Sequence, residues 1–230
     1  MAPSAIPATD RSTRPSVDVE QESRCPGWPY RHTLMDMAGP TMRFSALSCL
    51  LVLLGGIAPF KELEALEVSG VRLPTTARVG EQDLALRGAD LLRWKWFVKI
   101  YVAALYLPPQ LARAQALDDG PRRIAFHYRR GFTAEQLVEA TNGTINRGLD
   151  PLVAKAITPE LTAFNALYRE VKEGDIMVID YQPALGTTMA LNGAMLGTVQ
   201  GAVFARALFA IWIGDQAVDE DLKQALLGAP

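Results

Sequence analysis

Arg93 and Tyr101 are the residues whose types and setting point most directly to chemistry in this sequence. Residues 84–108 read LALRGADLLRWKWFVKIYVAALYLP. Arg93 stands there among Leu91, Leu92, Trp94, Trp96 and Phe97, and Tyr101 follows in an apolar run whose one charge is Lys99. A guanidinium keeps its charge, so an arginine among apolar side chains must find an anion, a group of carbonyls or water. A guanidinium fork beside a phenol suits a carboxylate, which the first binds bidentately and the second by a short hydrogen bond. Trp96, Phe97, Ile100, Phe126, Met189, Phe204 and Trp212 are candidate walls of an apolar pocket behind that anchor. The competing expectation is structural, with Arg93 satisfied by carbonyls or by Asp90 or Asp180 and Tyr101 in the core. Spacing sets a condition. Eight residues of straight strand span roughly 26 Å, so one carboxylate reaches both side chains only if the chain turns or bends between Arg93 and Val98.

Other constellations carry less chemistry. Cys25 and Cys49 are the two cysteines, and both fall early. A disulfide framework, a thiolate nucleophile and a Cys-ligated zinc are therefore excluded after Cys49. Of two histidines, His32 lies near the N-terminus and His127 stands alone in the body, too few for a His-rich metal site. His127 reads as an exposed strand residue between arginines and not as a ligand. Asp219, Glu220 and Asp221 fall in a helix first turn, where negative charge offsets the macrodipole. Gly193, Gly197 and Gly201 bracket a hairpin and precede no basic residue, unlike a phosphate loop. No metal and no cofactor is expected. The net charge of −2 gives no basic stripe, since Arg122 and Arg123, like Arg129 and Arg130, flank a strand; nucleic acid is not an expected partner.

The elements that must position these residues read as strands first and helices later. Residues 66–73 suggest an edge strand broken by Gly70, and residues 84–87 a second that leads through a glycine turn at Arg87 and Gly88. Residues 97–107 form a long central strand, and residues 122–128 another with Ile124, Phe126 and Tyr128 on one face. Thr133 and Gln136 make a capping box opening a helix to about Asn142. Thr158 and Pro159 suggest an N-cap and first helical position, with Leu161, Phe164, Leu167, Tyr168 and Val171 at helical spacing and Gly174 as the stop. A strand over residues 175–181 and a hairpin around Asn192 and Gly193 follow, the dipeptide suiting a type I′ turn. Residues 204–213 read as a buried helix ended by Gly214, and Asp219 caps a last helix that Gly228 ends. Strands and helices do not alternate, which favours an α+β fold over a doubly wound one.

The N-terminal quarter is organised differently. Residues 1–41 are rich in Pro, Ser, Thr and charge, and read as disordered or as an extension misassigned upstream of the true start. Met42 and Arg43 open a short basic segment, residues 44–57 form an apolar run, and residues 63–65 offer an imperfect cleavage site. Residues 42–65 thus have the layout of a signal peptide if translation starts at Met42; the alternative is a buried helix. No run reaches the ~18 apolar residues of a membrane span.

Four segments in order, GADLLR…VKIYVAALYLP, EGDIMVIDY, GTTMALNG and IWIGDQAVD…LK…LLG, resemble the chalcone isomerase-like family, its exported bacterial branch in particular. The resemblance covers residues 66–228 and implies an open-faced antiparallel sheet with helices packed on one face. It also implies one of two activities: an intramolecular ring closure of a chalcone, or non-catalytic binding of a fatty acid whose carboxylate an arginine and a tyrosine hold. Arg93 and Tyr101 resemble that arginine and tyrosine. The enzyme's first catalytic helix presents tyrosine, lysine and asparagine at i, i+3 and i+7, where this chain matches with Gln136, Glu139 and Gly143, and a substrate-fixing threonine appears as Ile211. Losing the phenol and the ammonium, and placing Glu139 where a cation would face a developing enolate, weighs against ring closure. The expectation is an exported, periplasmic, non-catalytic protein that binds a small apolar acid through Arg93, Tyr101, Trp96, Phe97, Phe204 and Trp212. Its alternatives are an isomerase of the intramolecular lyase type and a module that binds a partner protein through the exposed sheet face.

Overall fold

A computed structural model of the chain describes residues 65–95 and 97–228. The segments read as an N-terminal extension and a signal peptide lie outside the described residues up to position 64, and so does Trp96.

Seven strands pair antiparallel in chain order: β3 (Thr76–Val79), β4 (Gln82–Trp94), β5 (Val98–Leu107), β6 (Arg122–Tyr128), β7 (Ile176–Gln182), β8 (Gly186–Leu191) and β9 (Ala194–Val199). Ahead of them, β1 (Ala65–Val68) and β2 (Val71–Pro74) form a separate two-stranded sheet. The helices are α1 (Ala134–Gly148), α2 (Pro151–Ala156), α3 (Thr158–Asn165), α4 (Ala202–Ile213) and α5 (Glu220–Leu226). The α+β expectation holds, with a curled antiparallel sheet and helices on one side.

Alternation assigns each strand residue to a face. Ala103, Leu105 and Leu107 of β5, Ile124, Phe126 and Tyr128 of β6, and Met177, Ile179 and Tyr181 of β7 join the core under the helices. Val102, Ala104, Tyr106 and Ala125 point the other way, into a smaller core shared with Val71 and Leu73 of β2. The second face is thus partly covered. α4 is apolar on nearly all sides and accordingly buried along its length, from Phe204 to Ile213.

Several elements match their sequence signals. The Thr133 hydroxyl accepts from the Gln136 N–H while the Gln136 side chain accepts from the Thr133 N–H, closing the capping box. Asn192 (φ 51) and Gly193 (φ 81) form the turn between β8 and β9, as a type I′ turn requires. Asp219 caps α5 by accepting from the Leu222 N–H at 2.8 Å.

Others differ. Residues 66–73 are not one broken strand but the β1–β2 hairpin around Ser69 and Gly70, both at positive φ. Arg87 and Gly88 do not turn the chain: they lie inside β4, at a register shift against β5 between Leu86 and Gly88. A Cβ at Gly88 would collide with the Ala225 carbonyl and fall 2.9 Å from that of Leu226, so glycine lets the end of α5 touch the strand. Helix α1 runs on to Gly148, past the expected end near Asn142. Asp150 caps α2, a helix the sequence did not suggest, and α3 starts directly behind it with Ile157 rather than Thr158 as its N-cap. That helix ends at Asn165, before Leu167, Tyr168 and Val171, and Gly174 (φ 91) lies beyond it in the approach to β7.

Arg122 and Arg123 lie within β6 rather than flanking it. Arg122 is 1% exposed. It donates to the carbonyls of Ala116 and Asp118, both at 2.9 Å, with its guanidinium near the rings of Tyr181 and Phe209. Arg123 points the other way and forks onto Asp180 with two 2.6 Å hydrogen bonds.

The helices α1 to α3 form one excursion between two neighbouring strands. β6 and β7 pair directly, and past their ends Phe132 and Val171 exchange two backbone hydrogen bonds of 2.9 Å. Everything from Thr133 to Glu170 hangs from that clasp.

Candidate functional site

The condition on Arg93 and Tyr101 is met by a hairpin. The chain reverses after β4, with Lys95 at φ 47, and β5 returns so that Leu92 faces Tyr101 and Arg93 faces Lys99. A register shift falls between Leu92 and Arg93, and both of these residues line one pocket. Residues eight apart in sequence thereby stand at neighbouring positions across two strands.

They serve different spaces. Tyr101 lines a cavity of about 80 Å³ between the sheet and the helices. Its sheet wall adds Phe126, Tyr128, Met177 and Ile179, and α4 contributes Ile211 and Trp212. The third wall is one face of α1, Leu137, Ala140, Thr141 and Thr144, which follow at i, i+3, i+4 and i+7. Arg93 lines an open pocket of about 360 Å³ beside it, with Leu92, Trp94, Ile100, Arg130, Phe132 and Asp219. Val218, between α4 and α5, borders both.

Hydroxyls supply the polarity of the cavity. The Trp212 Nε1–H donates to the Tyr101 oxygen at 3.0 Å, which leaves the phenol proton available to a further acceptor. The Tyr101 ring meets Phe126 edge to face at 5.0 Å. Thr141 and Tyr168 share a hydrogen bond of 2.8 Å. Burial holds the Tyr101 phenol well above the ordinary tyrosine range, against the pull of the Trp212 hydrogen bond. Burial pushes Tyr168 up to about 12, with the Thr141 hydrogen bond acting the other way. Burial also raises Tyr128. All three stay neutral at physiological pH, and among the described residues no carboxylate, imidazole or amine lines the cavity. The arrangement can bury apolar matter and donate a hydrogen bond at one spot.

Arg93 is exposed rather than embedded among apolar residues, two positions before the reversal at Lys95. Neither expected protein partner engages it: Asp90 accepts from the Leu91 N–H, and Asp180 holds Arg123. Among the described residues, Arg93 makes no hydrogen bond or ion pair with protein. Phe97 is 62% exposed at the hairpin tip. Ile100 lies on the open pocket. Phe126 and Trp212 line the cavity, whereas Phe204 packs on Phe164 at 5.3 Å and Met189 is fully buried, both away from it.

The α1 match to the enzyme's catalytic helix takes a different register. Gln136 and Glu139 are exposed, and the cavity sees Leu137, Ala140 and Thr144. The α1 lining follows helical spacing, but three of its four residues are threonine or alanine, which do not stand out in hydrophobic periodicity. Arg130, Tyr168 and Val218 had no local signal. His127 is half-buried on the opposite face, and burial lowers its pKa. Among the described residues no group of three or more His, Cys, Asp or Glu could hold a metal ion, and no helix is long and apolar enough to cross a membrane.

Comparison with solved structures finds the same fold in a fatty-acid binding protein of Arabidopsis thaliana. It shares 14% sequence identity and a TM-score of 0.58, over 72% of this chain and 96% of that one. No curated protein matches the chain. The family model described as chalcone isomerase-like matches residues 65–228, nearly all of the described structure, and the chain therefore belongs to the chalcone isomerase-like family.

Proposed function

We propose that this protein is a non-catalytic binding protein for a small apolar acid of the fatty-acid type. The head group lies where the two spaces meet at Val218, within reach of Arg93 from the open side and of the Tyr101 phenol from the inner side. The tail enters the cavity beneath α1. One observation carries this proposal: a cavity lined, among the described residues, by no charged side chain, with an indole-anchored phenol, adjoins an open pocket whose Arg93 makes no hydrogen bond or ion pair among the described residues. An apolar space with few polar groups at one end is the general form of a ligand site. The Arabidopsis fatty-acid binding protein of the same fold lends support.

Size adds a requirement. A cavity of about 80 Å³ is roughly half the ~150 Å³ that admits benzene, so an acyl chain enters only as α1 moves outward. The basic and apolar segments at residues 42–57 further support export to the periplasm, which a reporter fusion to residues 42–65 tests by its compartment.

The deciding experiment is displacement of a fluorescent fatty-acid probe from the delipidated full chain, with native mass spectrometry for co-purified lipid. Arg93→Ala is expected to weaken binding about 10- to 100-fold, the worth of a charge-assisted hydrogen bond, at unchanged melting temperature. Absence of probe binding, or wild-type affinity in the variant, overturns the proposal. Turnover of a hydroxychalcone that Arg93→Ala abolishes replaces it with the lyase.

A further inference from the structure

The tip of the β4–β5 hairpin presents two large apolar side chains to solvent. Trp94 is 56% and Phe97 62% exposed, on either side of the reversal at Lys95. The Lys95 ammonium lies 4.4 Å from the centre of the Trp94 ring. Arg93 and Lys99 face each other at the base of the tip. Arg129, whose N–H donates to the Ile100 carbonyl at 2.9 Å, adjoins them on β6, and Arg130 shares the open pocket with Arg93 and Trp94. Five cationic residues thus lie on this hairpin or on the strand end beside it, together with two exposed rings. Among the described residues, the one carboxylate on that pocket, Asp219, accepts from the Leu222 N–H.

This combination has a specific physical counterpart. Indole and phenyl rings settle at the boundary between lipid headgroups and acyl chains, and lysine and arginine beside them are drawn to anionic headgroups. We propose that the β4–β5 tip docks on an anionic phospholipid bilayer, with Trp94 and Phe97 in the headgroup–acyl boundary and Arg93, Lys95, Lys99, Arg129 and Arg130 against lipid phosphates. The docking stands on the chemistry of the tip alone. Its consequence, passage of an acyl chain from the bilayer past Val218 into the cavity, rests on the proposed function.

The test uses the full chain with Cys25→Ser and Cys49→Ser, carrying an environment-sensitive dye on Phe97→Cys. A second labelled variant, Leu185→Cys, reports from the β7–β8 turn at the opposite end of the strands, where Leu185 is 58% exposed. Vesicles of phosphatidylcholine with phosphatidylglycerol are expected to shift the emission at position 97 to the blue and leave position 185 unchanged. Charge reversal by Lys95→Glu with Lys99→Glu is expected to weaken the response at least about tenfold, and Trp94→Ala to weaken it further. No response at 97, an equal response at 185, or indifference to charge reversal overturns the proposal. So does a shift without vesicles that grows with protein concentration, which assigns the tip to self-association. Probe displacement measured in solution on the same proteins reports on the cavity separately, so either proposal can fail alone.

Discussion

The indole of Trp212 donates its N–H to the phenol oxygen of Tyr101 across 3.0 Å, tying α4 to β5 at the centre of the cavity wall. The bond consumes one lone pair of the tyrosine and leaves its proton unspent, so the two residues can be separated by substitution. Tyr101→Phe strands a buried indole N–H and is expected to cost about 1–3 kcal/mol, with about tenfold weaker binding of an apolar acid. Trp212→Phe keeps the phenol as a donor, so affinity holds better while stability falls by a similar amount. Thermal melts and probe displacement on both variants separate the roles; equal losses of affinity would refute the assignment of Tyr101 as donor.

Val218 borders both the inner cavity and the open pocket, and it is 39% exposed. A tryptophan there fills the passage without disturbing the core. Val218→Trp is expected to change stability by less than about 0.5 kcal/mol and to slow probe entry at least tenfold in stopped-flow mixing. An unchanged association rate would show that ligand takes another route.

Gly88 has backbone carbonyls of α5 where a side chain would begin. Gly88→Ala must push α5 off β4, and the Arg87 hydrogen bond to the Leu227 carbonyl goes with it. The expected loss is about 1–3 kcal/mol, as for overpacking elsewhere, or about 2–12 °C in melting temperature for a domain of this size. A wild-type melt would mean that α5 is free to shift.

Burial lowers the pKa of His127 in the folded protein, below the ~6.5 it has when unfolded. The unfolded chain then binds more protons in that interval, so stability rises with pH there. The contribution is complete above about pH 6.5 and is lost as pH falls through the folded value. Melting curves between about pH 7.5 and 5 should show a decline in melting temperature toward the acid end that His127→Gln removes. A decline that persists in the variant would have another source.

Much of this fold was legible because local chemistry and tertiary structure agree. The alternation in residues 122–128, the capping box at Thr133 and the Asn192–Gly193 turn each set their element without help from distant residues. Where the two part, the deciding atoms are remote in sequence. Gly88 signals a turn by itself, and only the carbonyl of Ala225 explains it as a point of contact. Phe97 reads as a pocket wall behind Arg93 because an exposed aromatic at a hairpin tip has the same local composition as a buried one. Arg122 and Arg123 look like a basic pair, but strand alternation sends one into the core and the other to Asp180. The cavity itself was half visible: Tyr101, Phe126 and Trp212 stand out by type, whereas Thr141, Thr144 and Ala140 matter through their position on α1.

The clasp between Phe132 and Val171 has a dynamic consequence. Because β6 and β7 pair with each other directly, the segment from Thr133 to Glu170 can loosen as a unit while the strand ladder beneath it stays closed. Such a segment behaves as a low-stability cooperative unit with its own opening free energy. Amide deuterium uptake in α1 to α3 should outpace that in β5 to β7 and slow on addition of a fatty acid, the signature of a cover that opens from a fixed hinge.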